Sequence, residues 1–207
     1  MRLIHGPEDV AEGANWLAAS CPHMSAALDQ VGELPLRRRK DGFRAVLDAI
    51  VSQQVSVAAA DAIMGRLVKA GLVGPRKIMW ATDEELRACG LSRQKMRYAR
   101  ELARARIDWK GLRTAPTDEV VAVLTEVPGI GRWTAEIYAM FSLGHADVFA
   151  PADLALQEGA KLVYDLPERP KEKALREMAE AWSPWRSVAA RLFWAYYAQA
   201  KRREGIR

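Results

Sequence analysis

The sequence predicts an all-α protein, and three observations carry that prediction. Apolar residues recur with the helical period along nearly the whole chain, strand-like alternation is missing, and a Pro-Gly-Ile-Gly turn joins two segments that share that period.

Taken in order, residues 1–41 are expected to form an N-terminal helical segment that packs with the C-terminal helices. Phe43, Val46, Leu47, Ile50 and Val51 then fall on one face of a strong helix, and Ile63, Met64, Leu67 and Val68 on one face of the next. Ser52-Gln53-Gln54-Val55-Ser56 separates them, with Ser56 placed to cap the second. Gly71-Leu72-Val73-Gly74-Pro75 is a break, Thr82-Asp83-Glu84-Glu85 opens a short helix, and Gly90-Leu91-Ser92 closes it and caps a basic helix expected to reach Ile107. A further helix starts at Pro116-Thr117-Asp118, carries Val120, Val123, Leu124 and Val127, and is stopped by Pro128. After the turn Thr134, Ile137, Tyr138 and Phe141 resume the period. A helix from Leu154 to Val163 follows, then a surface loop over 166–172. A last helix starts near Pro184 with Trp185, Val188, Ala189, Leu192, Phe193 and Tyr196 as its apolar stripe.

The composition suits a globular domain: 207 residues, 50% hydrophobic and 28% charged. A single domain spanning 1–207 is expected. A net charge of +5 favours a polyanionic partner without naming one. Two isolated cysteines, Cys21 and Cys89, are too few for a zinc or iron–sulfur centre and read as reduced thiols. With no long apolar run and no signal-peptide core near Met1, a cytoplasmic protein without membrane contact is expected.

Chemistry concentrates at the turn and beyond it. Gly129 and Gly131 can both take φ > 0 and bring backbone N–H groups of the following helix close to an anion such as phosphate, although an ordinary helix–helix turn needs no ligand. Asp153 follows Gly131 by 22 positions and stands at a helix start, where a simple N-cap and a charge-stabilising carboxylate are compatible roles. Trp194 lies off the apolar stripe of the last helix, which fits either packing on a neighbouring helix or an aromatic wall for a flat ligand. Arg93, Lys95, Arg97, Arg100, Arg104 and Arg106, with the run Arg37-Arg38-Arg39-Lys40, fit a solvated face as well as a DNA track.

The turn Pro128-Gly129-Ile130-Gly131 with Asp153 resembles the element that names the helix-hairpin-helix DNA glycosylase superfamily. Ile50-Val51-Ser52-Gln53-Gln54-Val55-Ser56, Arg132-Trp133-Thr134-Ala135, the stretch Asp147 to Asp153 and Trp182-Ser183-Pro184-Trp185-Arg186 narrow the resemblance over residues 42–200. The branch they resemble is the alkylation-repair one, 3-methyladenine DNA glycosylase II, in the compact form without an N-terminal β-rich domain. That resemblance implies a two-lobed helical fold with a catalytic cleft, a base turned out of double-stranded DNA, and Asp153 beside the sugar. It further implies a base pocket lined by Trp133, Trp194, Ile137 and Leu154, the last two standing where some relatives have tyrosine. The DNA-binding hairpin would comprise Pro128, Gly129, Ile130, Gly131, Arg132 and Thr134, and a duplex wedge Gln53 and Gln54.

Bifunctional relatives carry a lysine where this chain has Trp133, so hydrolysis without strand cleavage is expected. No metal or organic cofactor is expected, a monovalent cation on the hairpin carbonyls being left open, and the chain is expected to act as a monomer. Cationic N3- and N7-alkylated purines are the expected substrates, since they leave without a protonating acid and suit electron-rich rings. Glu136 is expected only to border the site. A non-catalytic helix-hairpin-helix DNA-binding module and a glycosylase with lyase activity are the competing readings.

Overall fold

The computed structural model describes residues 1–203. The chain divides into two compact units, one built from Met1–Arg38 with Ala139 onward, the other from Arg39–Tyr138. Among the described residues there is no strand, only an isolated antiparallel bridge between Leu3 and His145.

The first unit opens with α1 (Pro7–Ser20) and α2 (Pro22–Val31), each with proline at its first position, where the missing N–H costs no helical hydrogen bond. The second unit follows with α3 (Phe43–Ser52), α4 (Val57–Lys69), α5 (Pro75–Trp80), α6 (Asp83–Ala88), α7 (Arg93–Arg104), α8 (Trp109–Leu112), α9 (Thr117–Thr125) and α10 (Arg132–Tyr138). The chain re-enters the first unit through a π-helical turn, Ala139–Leu143, and completes it with α11 (Leu154–Val163), α12 (Glu172–Met178) and α13 (Arg186–Arg203).

Capping follows the sequence closely. Ser56 accepts from Ala59 N, Thr82 and Glu85 form a capping box, and Ser92 accepts from Lys95 N. Some boundaries differ. The basic helix ends at Arg104, not Ile107, because Arg106 turns left-handed at φ 47° and Asp108 caps the short α8. Val68 is exposed at the end of α4 rather than buried with Leu67.

In the first unit Trp182, Trp185 and Phe193 are fully buried with Ile4, Leu17 and Met24. Each such side chain contributes about 1.5–3 kcal/mol by leaving water. Ile4 N donates to Gly144 O at 2.6 Å and Ala146 N to Arg2 O at 3.1 Å, which fastens the N-terminus beside the 144–146 turn. Within this unit α1 and α2 both meet α13. Helices α11 and α13 approach so closely that Gly159 lies on the backbone of Phe193. The second unit has its own core around Leu47, Ile50, Leu67, Ile78 and Leu86.

Candidate active site and nucleic-acid interface

The second unit carries the hairpin. Between α9 and α10 the chain reverses over Glu126–Gly131, with Ile130 N donating to Val127 O at 3.0 Å. Gly129 has φ 92°, and a Cβ there would collide with the ring of Tyr98. Both demands exclude any other residue. Gly131 is different: its φ is not left-handed, and open space lies where a Cβ would be, so it leaves room for an approaching group without needing a special conformation. Pro128 is exposed and Ile130 buried, which anchors the turn and leaves its rim in water.

Thr134 is buried, so its side chain is not part of the exposed surface of the hairpin. Glu136 is buried as well, its Oε1 accepting from Arg132 Nε at 2.9 Å; it braces α10 rather than bordering an open site. Trp133 is 43% exposed beside these inward residues, and Ile137 is half-buried.

The two glutamines before α4 diverge. Gln53 Nε2 donates to Gly129 O at 2.8 Å, so Gln53 is committed to the hairpin and is not a wedge. Gln54 is exposed and left-handed, φ 56°, at the tip of the turn. The basic helix is also partly committed. Lys95 is buried with its Nζ on Val51 O at 2.6 Å, and burial lowers its pKa. Arg100 pairs with Asp83 at 2.6 Å and donates to Ala81 O, and Arg104 pairs with Glu101. Arg93, Arg97 and Arg104 are the exposed arginines of this helix, the last of them paired with Glu101.

The first unit carries Asp153, the N-cap of α11. Its Oδ1 accepts from Ala155 N at 2.9 Å, Leu156 N at 3.1 Å and the indole Nε1 of Trp194 at 3.2 Å. Two backbone donors and the indole hold one carboxylate oxygen at the start of α11. The loop before it is held rigidly. Asp147 accepts from Arg186 Nε at 2.6 Å and Nη2 at 3.0 Å and from Ser183 Oγ at 2.9 Å, while Gln157 Nε2 donates to Pro151 O at 2.8 Å. Leu154, next to Asp153, is 60% exposed.

Trp194 is half-buried and carries both a packing and a polar contact. Its ring lies 5.6 Å from Phe141, and the Arg37 guanidinium sits over it at 5.8 Å. Arg37 is left-handed, φ 52°, after a carbonyl, Leu36 O, that Arg191 clamps with Nε at 3.2 Å and Nη2 at 3.0 Å. Arg191 is fully buried; burial, with Arg37 and Arg38 nearby, lowers its pKa to about 10, so it stays protonated at neutral pH. The roles of Arg37, Arg191 and Lys95 had no local sequence signal, because each contact spans at least 44 residues.

Residues 47–184 match the family described as HhH-GPD superfamily base excision DNA repair protein. The chain belongs to that superfamily. Among its relatives, DNA-3-methyladenine glycosylase 1 of Schizosaccharomyces pombe is 30% identical over 165 residues, 75% of this chain and 72% of the relative. A crystal structure of DNA-3-methyladenine glycosidase from Bacillus halodurans superposes with a TM-score of 0.83 at 33% identity, covering 98% of this chain and 95% of that one. The S. pombe 3-methyladenine DNA glycosylase in complex with abasic DNA superposes at 0.77 with 27% identity, covering 88% and 95%. The all-α class read from the sequence is thus that of the superfamily. Among the described residues no helix is long and apolar enough to cross a membrane.

Proposed function

We propose that this protein is a monofunctional DNA glycosylase that hydrolyses the N-glycosidic bond of cationic N3- or N7-alkylated purines in duplex DNA. Water adds to C1′ of the deoxyribose and gives up a proton. The glycosidic electron pair leaves with the base and neutralises its positive charge. Positive charge builds on the sugar as the bond breaks, and the Asp153 carboxylate stabilises it or orients the water. The observation that carries this reading is the fixed carboxylate itself, held on Oδ1 by two backbone N–H groups and an indole that already attracts a cation, Arg37. A ring face that holds a guanidinium suits a positively charged base by the same electrostatics.

In this reading Leu154 joins Trp194 beside the base, the hairpin next to Trp133 and Ile137 grips a phosphate, and Gln54 fills the gap left in the duplex. Trp133 offers no amine to attack the sugar, so the product is an abasic site in an intact strand. The reaction as derived uses no metal or organic cofactor, and the enzyme acts as a monomer in the reducing cytoplasm, where Cys21 and Cys89 remain thiols. The names of its relatives support the alkylation substrate. Incubating the protein with methylated duplex DNA and separating the released bases by chromatography tests the reading. Free 3-methyladenine is the expected product; no released base, or release of uracil or 8-oxoguanine in preference, refutes it.

A further inference from the structure

Gln53 and Gln54 are neighbours in one turn, yet one side chain returns to the protein while the other stands in water. The reversal comes from the backbone: Gln53 ends α3 in an extended conformation, and Gln54 takes φ 56°, a region L residues seldom adopt. The chain is fastened twice just before Gln54. The buried Lys95 Nζ donates to Val51 O at 2.6 Å, closing the last turn of the helix. Gln53 Nε2, at the head of the turn, reaches Gly129 O at 2.8 Å, across 76 residues of sequence. Gly129 cannot yield, since it is left-handed and lies on the ring of Tyr98, whose hydroxyl accepts from Gln94 Nε2 at 2.7 Å. One helix, α7, therefore supplies Lys95, Gln94 and Tyr98, which brace the turn and the hairpin together.

We propose that Gln53 is a positioning residue that couples the hairpin to Gln54, so that gripping a phosphate and filling the duplex gap occur as one rigid step. This rests on the glycosylase reading and on Gln54 as the wedge. A wedge on a loose turn samples many positions relative to the gripped strand, and that lost orientation slows extraction in proportion to the work extraction requires. The coupling matters most where the target base is paired and stacked. It matters little where its partner is missing.

The test is single-turnover excision by the full chain on two duplexes, one with 7-methylguanine paired to cytosine and one with the same lesion opposite an abasic site. Gln53→Ala should slow the paired substrate about tenfold, the effect of losing one part-buried hydrogen bond, and the unpaired substrate by less than about twofold. Gln54→Ala should show the same dependence on pairing. Gln53→Glu adds a readout that a structural role would not move. Ionised, its carboxylate repels Gly129 O; protonated, its O–H donates to the same carbonyl. Its paired-substrate rate relative to wild type should therefore climb as pH falls from 8 toward 5. Equal losses on both duplexes, a Gln53→Glu ratio that ignores pH, or a Gln54→Ala variant at wild-type rate on the paired duplex each overturn the proposal. Failure of the wild type to release the lesion from either duplex refutes instead the glycosylase reading.

Discussion

In the proposed reaction the indole N–H of Trp194 and its ring face make separate contributions, and Trp194→Phe divides them. Phenylalanine keeps an aromatic face against Phe141 but cannot donate to Asp153 Oδ1, now 3.2 Å from Nε1. A hydrogen bond to a charged acceptor contributes about 1.5–3 kcal/mol. Here the bond is long and Oδ1 retains Ala155 N and Leu156 N, which places the loss at or just below the bottom of that range, about 1–1.5 kcal/mol. Single-turnover excision should fall about five- to twelvefold for a cationic and for a neutral lesion alike, because the carboxylate serves both. Trp194→Ala removes the face as well and should cost a further 0.5–2 kcal/mol, roughly, on the cationic lesion alone. The assay competes 3-methyladenine with hypoxanthine in one reaction. A Trp194→Phe enzyme as fast as wild type would refute the polar role, and equal losses for both lesions in Trp194→Ala would reduce the tryptophan to packing.

Three other outcomes are expected. Gly159→Ala sets a Cβ about 2.6 Å from Phe193 O, a backbone atom that cannot step aside; overpacking of about 1–3 kcal/mol, offset by about 1 kcal/mol of helix propensity, should lower Tm by several degrees and displace Asp153 from Trp194. A Tm raised by the gain in helix propensity contradicts the close approach of α11 and α13. Burial, then the charge of Arg38, lowers His145 to about 4, so it is neutral when folded while the unfolded chain takes up a proton near 6.5. Stability from this group is therefore complete above pH 6.5 and lost as pH falls toward 4, by about 2 kcal/mol after allowance for screening; urea midpoints across that window should drop, and His145→Gln should flatten the dependence. Borohydride should trap no covalent complex with DNA, and strand breaks should appear only after added base or heat, since Trp133 supplies no amine; a stable cross-link would place the chain with the lyases.

The parts of the molecule that local physics determines were legible in the sequence. Ser56, Thr82 and Ser92 cap where they stand because a side-chain oxygen beside free N–H groups needs no distant partner. The helices around Pro128-Gly129-Ile130-Gly131 follow from period and proline, and Asp153 caps α11 for the same local reason. What depends on residues far apart in the chain was not legible. Gln53 and Gln54 are the same residue type in the same turn, and only the position of Gly129 O decides which of them faces inward. Glu136 looks like a surface residue beside a hairpin until α10 is seen to turn it into the protein. Lys95 reads as one more cation on a basic face, yet its stem is buried and its ammonium ends a helix. The left-handed Arg106 that stops α7 early, and the π-helical turn after α10, likewise leave no periodic trace.

The proposed reaction depends on the charge of Asp153, and Asp153→Asn removes that charge while keeping shape and the cap. Excision of 3-methyladenine under single turnover, measured beside duplex affinity for the same oligonucleotide, separates the two functions. The expected result is a rate lower by at least about a hundredfold, with affinity within about threefold of wild type, because the carboxylate acts on charge that develops only as the bond breaks. Turnover by the asparagine variant at the wild-type rate would contradict the central claim.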